Sequence, residues 1–276
     1  AQGKRHSLES VLTIILLSLI CGKSSYKEIE IFLKENQVKL RNFLNITSGN
    51  LPSYSTIRRV MMGVNTNEIK LLIKEIIKII YLDNESKDWI AIDGKTLRST
   101  VNNYSEHSQN MLTIVSLFSQ NTNLVIGTES FESKKGSETK QVQDLIRDRE
   151  LTNKVITLDA LHCNKDTTRE IIASNNDYLI TVKRNQVKLY NQHLKSFIKV
   201  ERTGKRGKKD YQQTLYYISS LALSAEEFGK RIQGHWLIEN RLHWVKDVIY
   251  KEDKQKIKDV KAMENFSSLI TIVLNF

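Results

Sequence analysis

One proline and eleven glycines among 276 residues are too few for a linker-rich, low-complexity or collagen-like chain. Two cysteines, Cys21 and Cys163, offer neither a disulfide framework nor a paired zinc-ligand spacing. Such cysteine usage fits a reducing, intracellular compartment. Long apolar runs are also missing. The longest, VLTIILLSLIC at residues 11–21, covers roughly 17 Å as a helix against a hydrocarbon core of about 30 Å. Lys4, Arg5 and His6 precede it in the manner of a signal peptide, but no A-x-A-like cleavage site follows, since Gly22 leads into charged, helical sequence. A buried helix is expected there. Acidic residues are in deficit as well: 31 Asp and Glu face 42 Lys and Arg, a net charge of +11. That balance suits a partner rich in negative charge, nucleic acid first, although a solvated basic surface has the same composition.

What the chain does have is clear periodicity. Residues 7–82 read as helices: Ser7 caps the first, Gly22 ends it, and Ile29, Phe32 and Leu33 give the next an apolar face. The segment from Ile69 to Tyr81 repeats the pattern. Between them, NLPSYSTIRRVMMGV (50–64) sets Pro52 and Ser53 at a helix start, with Arg58 and Arg59 on the first turns beyond. Basic side chains there are available to phosphates, as they are on any exposed helix. The expectation is a helical, DNA-binding domain over 1–85 and a second domain over 86–276.

From residue 88 the period becomes that of strands: WIAID (89–93), LTIVSLF (112–118), NLVIGT (123–128), KVITLD (154–159) and DYLITVK (177–183). Helical patterns fall at about 137–150 and 164–174. Three strands in succession, then strand and helix in alternation, predict an antiparallel meander running into a parallel sheet covered by helices. This α/β order is compatible with a ribonuclease-H-like mixed sheet. Residues 196–220 read as a basic β-hairpin whose turn region holds Arg202, Lys205, Arg206, Lys208 and Lys209, a concentration of charge that a DNA backbone would relieve. A long helical pattern from Ala225 to Val248 follows, and the chain closes on LITIVLNF.

Two apolar strands end in aspartate, at Asp93 and Asp159. Carboxyl ends of parallel strands line the crevice where ligands bind, so the two would converge there; a turn or helix cap is the commoner use of a single such aspartate. In the long helix His235, Glu239, His243 and Lys246 recur at intervals of 4, 4 and 3 and share one face. Three readings stand. His235, Glu239 and His243 bind zinc, although no H-E-x-x-H motif is present; the stripe is a salt-bridged surface, although Trp236, Leu242 and Trp244 ask for close packing; or Glu239 lies opposite the two aspartates. Three carboxylates within about 5 Å repel by roughly 3 kcal/mol per pair at an effective dielectric near 20. Divalent cations offset that repulsion, and two of them about 4 Å apart serve in-line phosphoryl transfer. Lys95 and Arg98 after Asp93, with Lys183 and Arg184 after the fifth strand, are candidates to hold a phosphate backbone.

The runs WIAIDGKTLRST, ITLDALHC, NDYLITVKRNQ and GHWLIENRLHWVKDVIYKED, with HSLESVLTIILLSLICG and LPSYSTIRRV before them, resemble the hallmark segments of insertion-sequence transposases that include the bacterial H-repeat-associated proteins. The resemblance covers nearly the whole chain. It implies a DDE transposase core of ribonuclease-H-like fold, two Mg2+ or Mn2+ ions, and strand cleavage and transfer at transposon ends. It further implies terminal inverted repeats and target DNA as partners, assembly as a homo-oligomer on DNA, and a cytoplasmic, nucleoid-associated location. Position by position, the metal-holding catalytic residues fall on Asp93, Asp159 and Glu239. Lys246, seven residues after Glu239, keeps a Glu-to-Lys spacing and is expected at DNA. His235 stands where an arginine is usual, with Arg231 or Arg241 as substitutes. After the fifth strand KRNQVKLY runs almost directly into the hairpin, where the family carries some dozens of residues including a His-Gly-Arg-x-Glu segment. An internal deletion is expected, and with it a second possibility, a decayed copy that binds DNA without chemistry.

Overall fold

The computed structural model describes residues 6–46, 50–80, 87–101, 110–148, 151–183, 193–207 and 209–276. The apolar N-terminal run is helix α1 (Leu8–Ile20), with Ser7 Oγ accepting from the Ser10 amide at its start. Gly22 takes a left-handed φ of +73° just beyond its end, a conformation that costs glycine nothing. Helices α2 (Tyr26–Glu35), α3 (Gln37–Phe43), α4 (Tyr54–Gly63) and α5 (Thr66–Ile80) follow, α4 starting directly after Pro52 and Ser53 as predicted. Tyr81 lies outside the described residues. These helices share a core with the C-terminal helix α10 (Val260–Leu274): Ile14, Ile57 and Ile73 pack in one cluster with Phe266 and Ile270. Asn265 Nδ2 donates to the Met61 and Val64 carbonyls, tying the end of α4 to α10. Among the described residues no helix is long and apolar enough to cross a membrane.

Strands β1 (Trp89–Leu97), β2 (Leu112–Ser119), β3 (Val125–Glu132), β4 (Val155–Leu158), β5 (Asp177–Val182), β6 (Ser196–Arg206) and β7 (Lys209–Ser219) form one sheet in the order β3-β2-β1-β4-β5-β7-β6. The expected meander is β3-β2-β1, and its parallel continuation is β1-β4-β5. The hairpin joins this same sheet. Its β7 pairs with β5 only from Leu179↔Ser219 to Val182↔Tyr216, so the half nearer the turn projects past the sheet with mainly polar side chains.

Alternation along the strands divides the two faces. Ile90, Ile92, Ile156 and Leu158 pack against α6 (Glu138–Asp148) and α7 (Lys165–Ala173) through Val142, Leu145 and Ile171. Trp89, Ala91 and Val155 point the other way, onto Phe228, Ile232, Ile238 and Leu242. Those four belong to the long helical run, which is not uniform: α8 (Ala225–His235), opened by a Ser224–Glu227 capping box, leads to a π-helical turn (Ile238–His243) and then α9 (Trp244–Val248). The wider π turn changes the angular phase of everything after it.

Candidate active site

Parallel pairing of β1 with β4 matches Trp89↔Val155, Ile90↔Ile156 and Ala91↔Thr157. Carried two residues further, this register sets Asp93 beside Asp159 at the carboxyl end of β4, the position where open α/β sheets bind ligands. Asp93 does not close its own strand as expected, because β1 runs on to Leu97 in antiparallel pairing with β2. Both strands are buried up to this point, and the side chains then open to solvent: Asp93 is 26% exposed and Asp159 55%. Asp159 also begins the single turn Ala160–His162, its Oδ1 accepting from the Leu161 amide. The capping use is therefore real, and it engages one carboxylate oxygen, Oδ1.

The helical run crosses over this edge. Ile238 and Leu242 pack on Ala91, His243 Nδ1 lies 3.3 Å from Asp93 Oδ2, and His235 Nδ1 is 2.8 Å from Thr157 Oγ1. Burial pushes the His235 imidazolium down in pKa against the pull of Asp93 and Asp159. Glu239 stands between the two histidines in sequence but is exposed, and among the described residues no three His, Cys, Asp or Glu side chains are grouped closely enough to hold a metal ion. Asp93 and Asp159 are thus brought together with the two histidines, while Glu239 is left on the same helical run without joining them. The one-face stripe of His235, Glu239, His243 and Lys246 is split: the two histidines and Lys246 turn inward, while Glu239, within the π turn, is exposed. As a donor set, two partly exposed carboxylates on adjacent strands suit a hard divalent cation better than zinc. The buried His243 Nε2, with no hydrogen-bond partner among the described residues, adds an unused polar atom beside them.

Two residues at this edge carried no expectation. His162 is buried, with Nε2 3.2 Å from Glu138 Oε1 and 3.8 Å from Asp159 Oδ1. Glu138 reaches it by lying against Gly94, where an added Cβ would come within 2.5–2.7 Å of the Glu138 carboxyl atoms. A carboxylate holding an imidazole that faces another carboxylate fixes ring orientation. The signal for His162 was its place three residues after Asp159; Glu138 had none, since its contact depends on how α6 crosses β1.

Lys95 and Lys246 depart from the sequence expectation of DNA contact. Lys95 Nζ turns inward to Glu252 (2.9 Å), Asp247 (2.8 Å) and Asp253 (3.5 Å). Lys246 is 3% exposed, donates to Ser267 Oγ at 2.9 Å and lies 3.8 Å from Glu252, which is itself fully buried. Neither ammonium can reach a phosphate outside the protein. Burial works against every charge in this cluster, and the balance differs by member. Glu252 faces two lysines and is held below the usual carboxylate range; Lys95, with three acids around it, is raised; Lys246 is lowered, since Glu252 does not offset its burial. Arg58, Arg59, Arg98, Lys183, Lys205 and Lys209 are exposed. Arg184, Lys208 and the Arg206 side chain lie outside the described residues. Arg202 does not point from the hairpin turn but stacks on Trp236 at 3.8 Å, and Arg231 bonds Asn121. Trp236 and Trp244, expected to pack closely, are 38% and 54% exposed.

Comparison with known proteins adds a family and a fold. The family described as transposase DDE domain matches residues 84–276, and the family described as DDE_Tnp_1-associated matches residues 1–75. "Putative protein YbfL" and "H repeat-associated putative transposase YhhI", both of Escherichia coli (strain K12), are 28% and 27% identical over 324 aligned positions, covering 98% of this chain and 84% of each relative. Those 324 positions exceed the 276 residues of this chain, so the relatives carry several dozen positions with no counterpart here. Among solved structures, a cryo-EM piggyBac transposase synaptic complex with hairpin DNA matches with a TM-score of 0.52 at 9% identity, over 100% of this chain and 68% of that one. At that identity the match speaks for the fold alone, a ribonuclease-H-like mixed sheet flanked by helices.

Proposed function

Because the chain belongs to the transposase DDE domain family, we propose that it is an insertion-sequence transposase, cleaving DNA at transposon ends and joining the freed 3′ ends to target DNA. The observation that carries the reading is the pair of aspartates on adjacent parallel strands, Asp159 just after β4 and Asp93 level with it on β1. In this reading Asp93, Asp159 and Glu239 hold Mg2+ or Mn2+, two ions in all, with Glu239 turning in from its exposed position on the π turn. The bound ions supply activation of the attacking oxygen and stabilisation of the leaving one. His162, held by Glu138, keeps Asp159 oriented, and His243 does the same for Asp93. Arg58 and Arg59 on α4, Arg98, and Lys183 with Arg184 hold phosphates. Lys205, Arg206, Lys208 and Lys209 do so from the projecting hairpin. Residues 1–85 act as the DNA-binding unit, braced on the catalytic part through α10, and the active species is a homo-oligomer assembled on the terminal repeats in the bacterial cytoplasm.

A second reading, a remnant that binds DNA without chemistry, is favoured by the positions missing relative to the relatives. One assay separates the two. The purified chain is incubated with a duplex carrying the element's own inverted repeats, with Mg2+ or Mn2+ and with a chelator. Nicks at the repeat boundary that require the metal are expected. Binding to the repeats without nicking under any metal condition leaves the remnant; nicking with no preference for the repeats contradicts both.

A further inference from the structure

Away from the catalytic edge, α2, α4 and residues 251–259 enclose an open groove of about 900 Å³. Its walls carry six cationic side chains: Lys27, Arg58, Lys251, Lys254, Lys256 and Lys258. The last four come from one short segment, where exposure alternates. Glu252, Gln255 and Ile257 are buried, while the four lysines are exposed between them. Gln255 anchors the segment, donating to the carbonyls of Ser24 and Tyr250. Three acids share the groove, and each is engaged locally. Glu28 accepts from the Ser24 amide and hydroxyl, Glu30 from the Tyr54 amide, and Asp259 from the Ala262 amide at the start of α10. The groove therefore presents an excess of positive charge on a fixed scaffold. Lys254 and Lys256 stand at two-residue spacing, about 7 Å apart in extended backbone, with Lys258 next along the segment donating to the Ser99 carbonyl at 3.4 Å. Such a row suits a chain of phosphates rather than one small anion.

We infer that this groove seats the phosphate backbone of duplex DNA, running from α4 toward the catalytic edge. The inference rests on the transposase reading and extends its DNA contact at Arg58 to Lys27 and the 251–259 lysines, which the sequence did not suggest. Its course follows from the neighbours of the lysine segment. Glu252 and Asp253 pair with Lys95, two residues beyond Asp93, and Asp253 also faces the exposed Arg98. A duplex touching Arg58 and the lysine segment would thus meet Arg98, which follows the strand that carries Asp93. Each Lys or Arg that neutralises a phosphate releases a counterion, so the salt dependence of binding counts the contacts.

The test is fluorescence anisotropy of the full chain with a labelled terminal-repeat duplex between about 50 and 200 mM salt. Wild type is compared with the triple variant Lys27→Gln, Lys254→Gln, Lys256→Gln and with the hairpin variant Lys205→Gln, Lys209→Gln. Thermal melts check that these exposed substitutions leave the fold intact. The groove variant is expected to lose at least about tenfold in affinity, and its slope of log K against log salt to be shallower by about 2.7, three contacts at roughly 0.9 each. Wild-type affinity and slope in the groove variant would overturn the inference while leaving DNA binding, read from the wild type and the hairpin variant, in place. A wild type that binds no duplex would overturn both.

Discussion

Replacing Asp159 or Asp93 with alanine is expected to slow metal-dependent nicking by more than about a thousandfold, roughly 4 kcal/mol of barrier, while the protein stays folded. Asp159 is more than half exposed and buries no apolar surface. Its structural share is the hydrogen bond from the Leu161 amide, a cap of about 1 kcal/mol. Asp93 is engaged at 3.3 Å by His243 and is itself partly open to solvent, so its loss removes one polar contact rather than core packing. Neither change touches the clusters that hold the sheet between its helices. Asparagine at position 159 keeps an acceptor for the turn and removes only the charge, so Asp159→Asn should melt like the wild type and still fail to nick. Nicking rates at saturating Mn2+, beside thermal melts, read both quantities. Undiminished nicking in Asp159→Asn sinks the assignment.

Glu252→Ala carries the largest expected cost in stability, about 3–5 kcal/mol, for the opposite reason. Glu252 is fully buried among Lys95, Lys246 and Ser267, so its removal leaves buried ammonium charge uncompensated. For a chain of this size the midpoint of thermal unfolding should fall by about 10 °C or more. The pH dependence has a definite sign. Glu252 is held below the ordinary carboxylate range, so its contribution is complete above the unfolded value of about 4.3 and is lost as pH falls through the lower folded value. Wild type should destabilise on acidification below about pH 4 more steeply than Glu252→Ala, which has already lost that term. A variant within about 1 kcal/mol of wild type at neutral pH contradicts this account of the cluster. The effect reaches the catalytic edge as well, because Lys95 follows Asp93 by two residues on β1 while Asp247 lies on α9.

Much of this was legible along the chain, because it depends on local pattern. Strand alternation marked β1 to β5, Pro52 and Ser53 marked the start of α4, and the two aspartates after apolar runs marked the candidate edge, although β1 was read as closing at Asp93 and runs on to Leu97. Contacts between distant segments were not legible. Lys95 and Lys246 read as basic residues near a catalytic motif, yet Lys95 meets Glu252 across 157 positions and Lys246 meets Ser267 on α10. Residue type gives the charge but not the buried partner that captures it. The His235 to Lys246 stripe was drawn with regular helical spacing, but a π turn interrupts that spacing, Lys246 lies in the core and Glu239 lies outside. His162 and Glu138 were missed because their meeting depends on how α6 crosses β1 at Gly94. The C-terminal apolar stretch gave no hint that it forms one wall of the N-terminal helical core.

The central claim is that Asp93, Asp159 and Glu239 share divalent cations, and it requires Glu239 to leave its exposed position. Anomalous scattering from manganese, in crystals grown with Mn2+ and terminal-repeat DNA, locates the ions directly. The account predicts manganese held by carboxylate oxygens of all three residues. Manganese bound elsewhere, or bound to the two aspartates with Glu239 still turned to solvent, would contradict it.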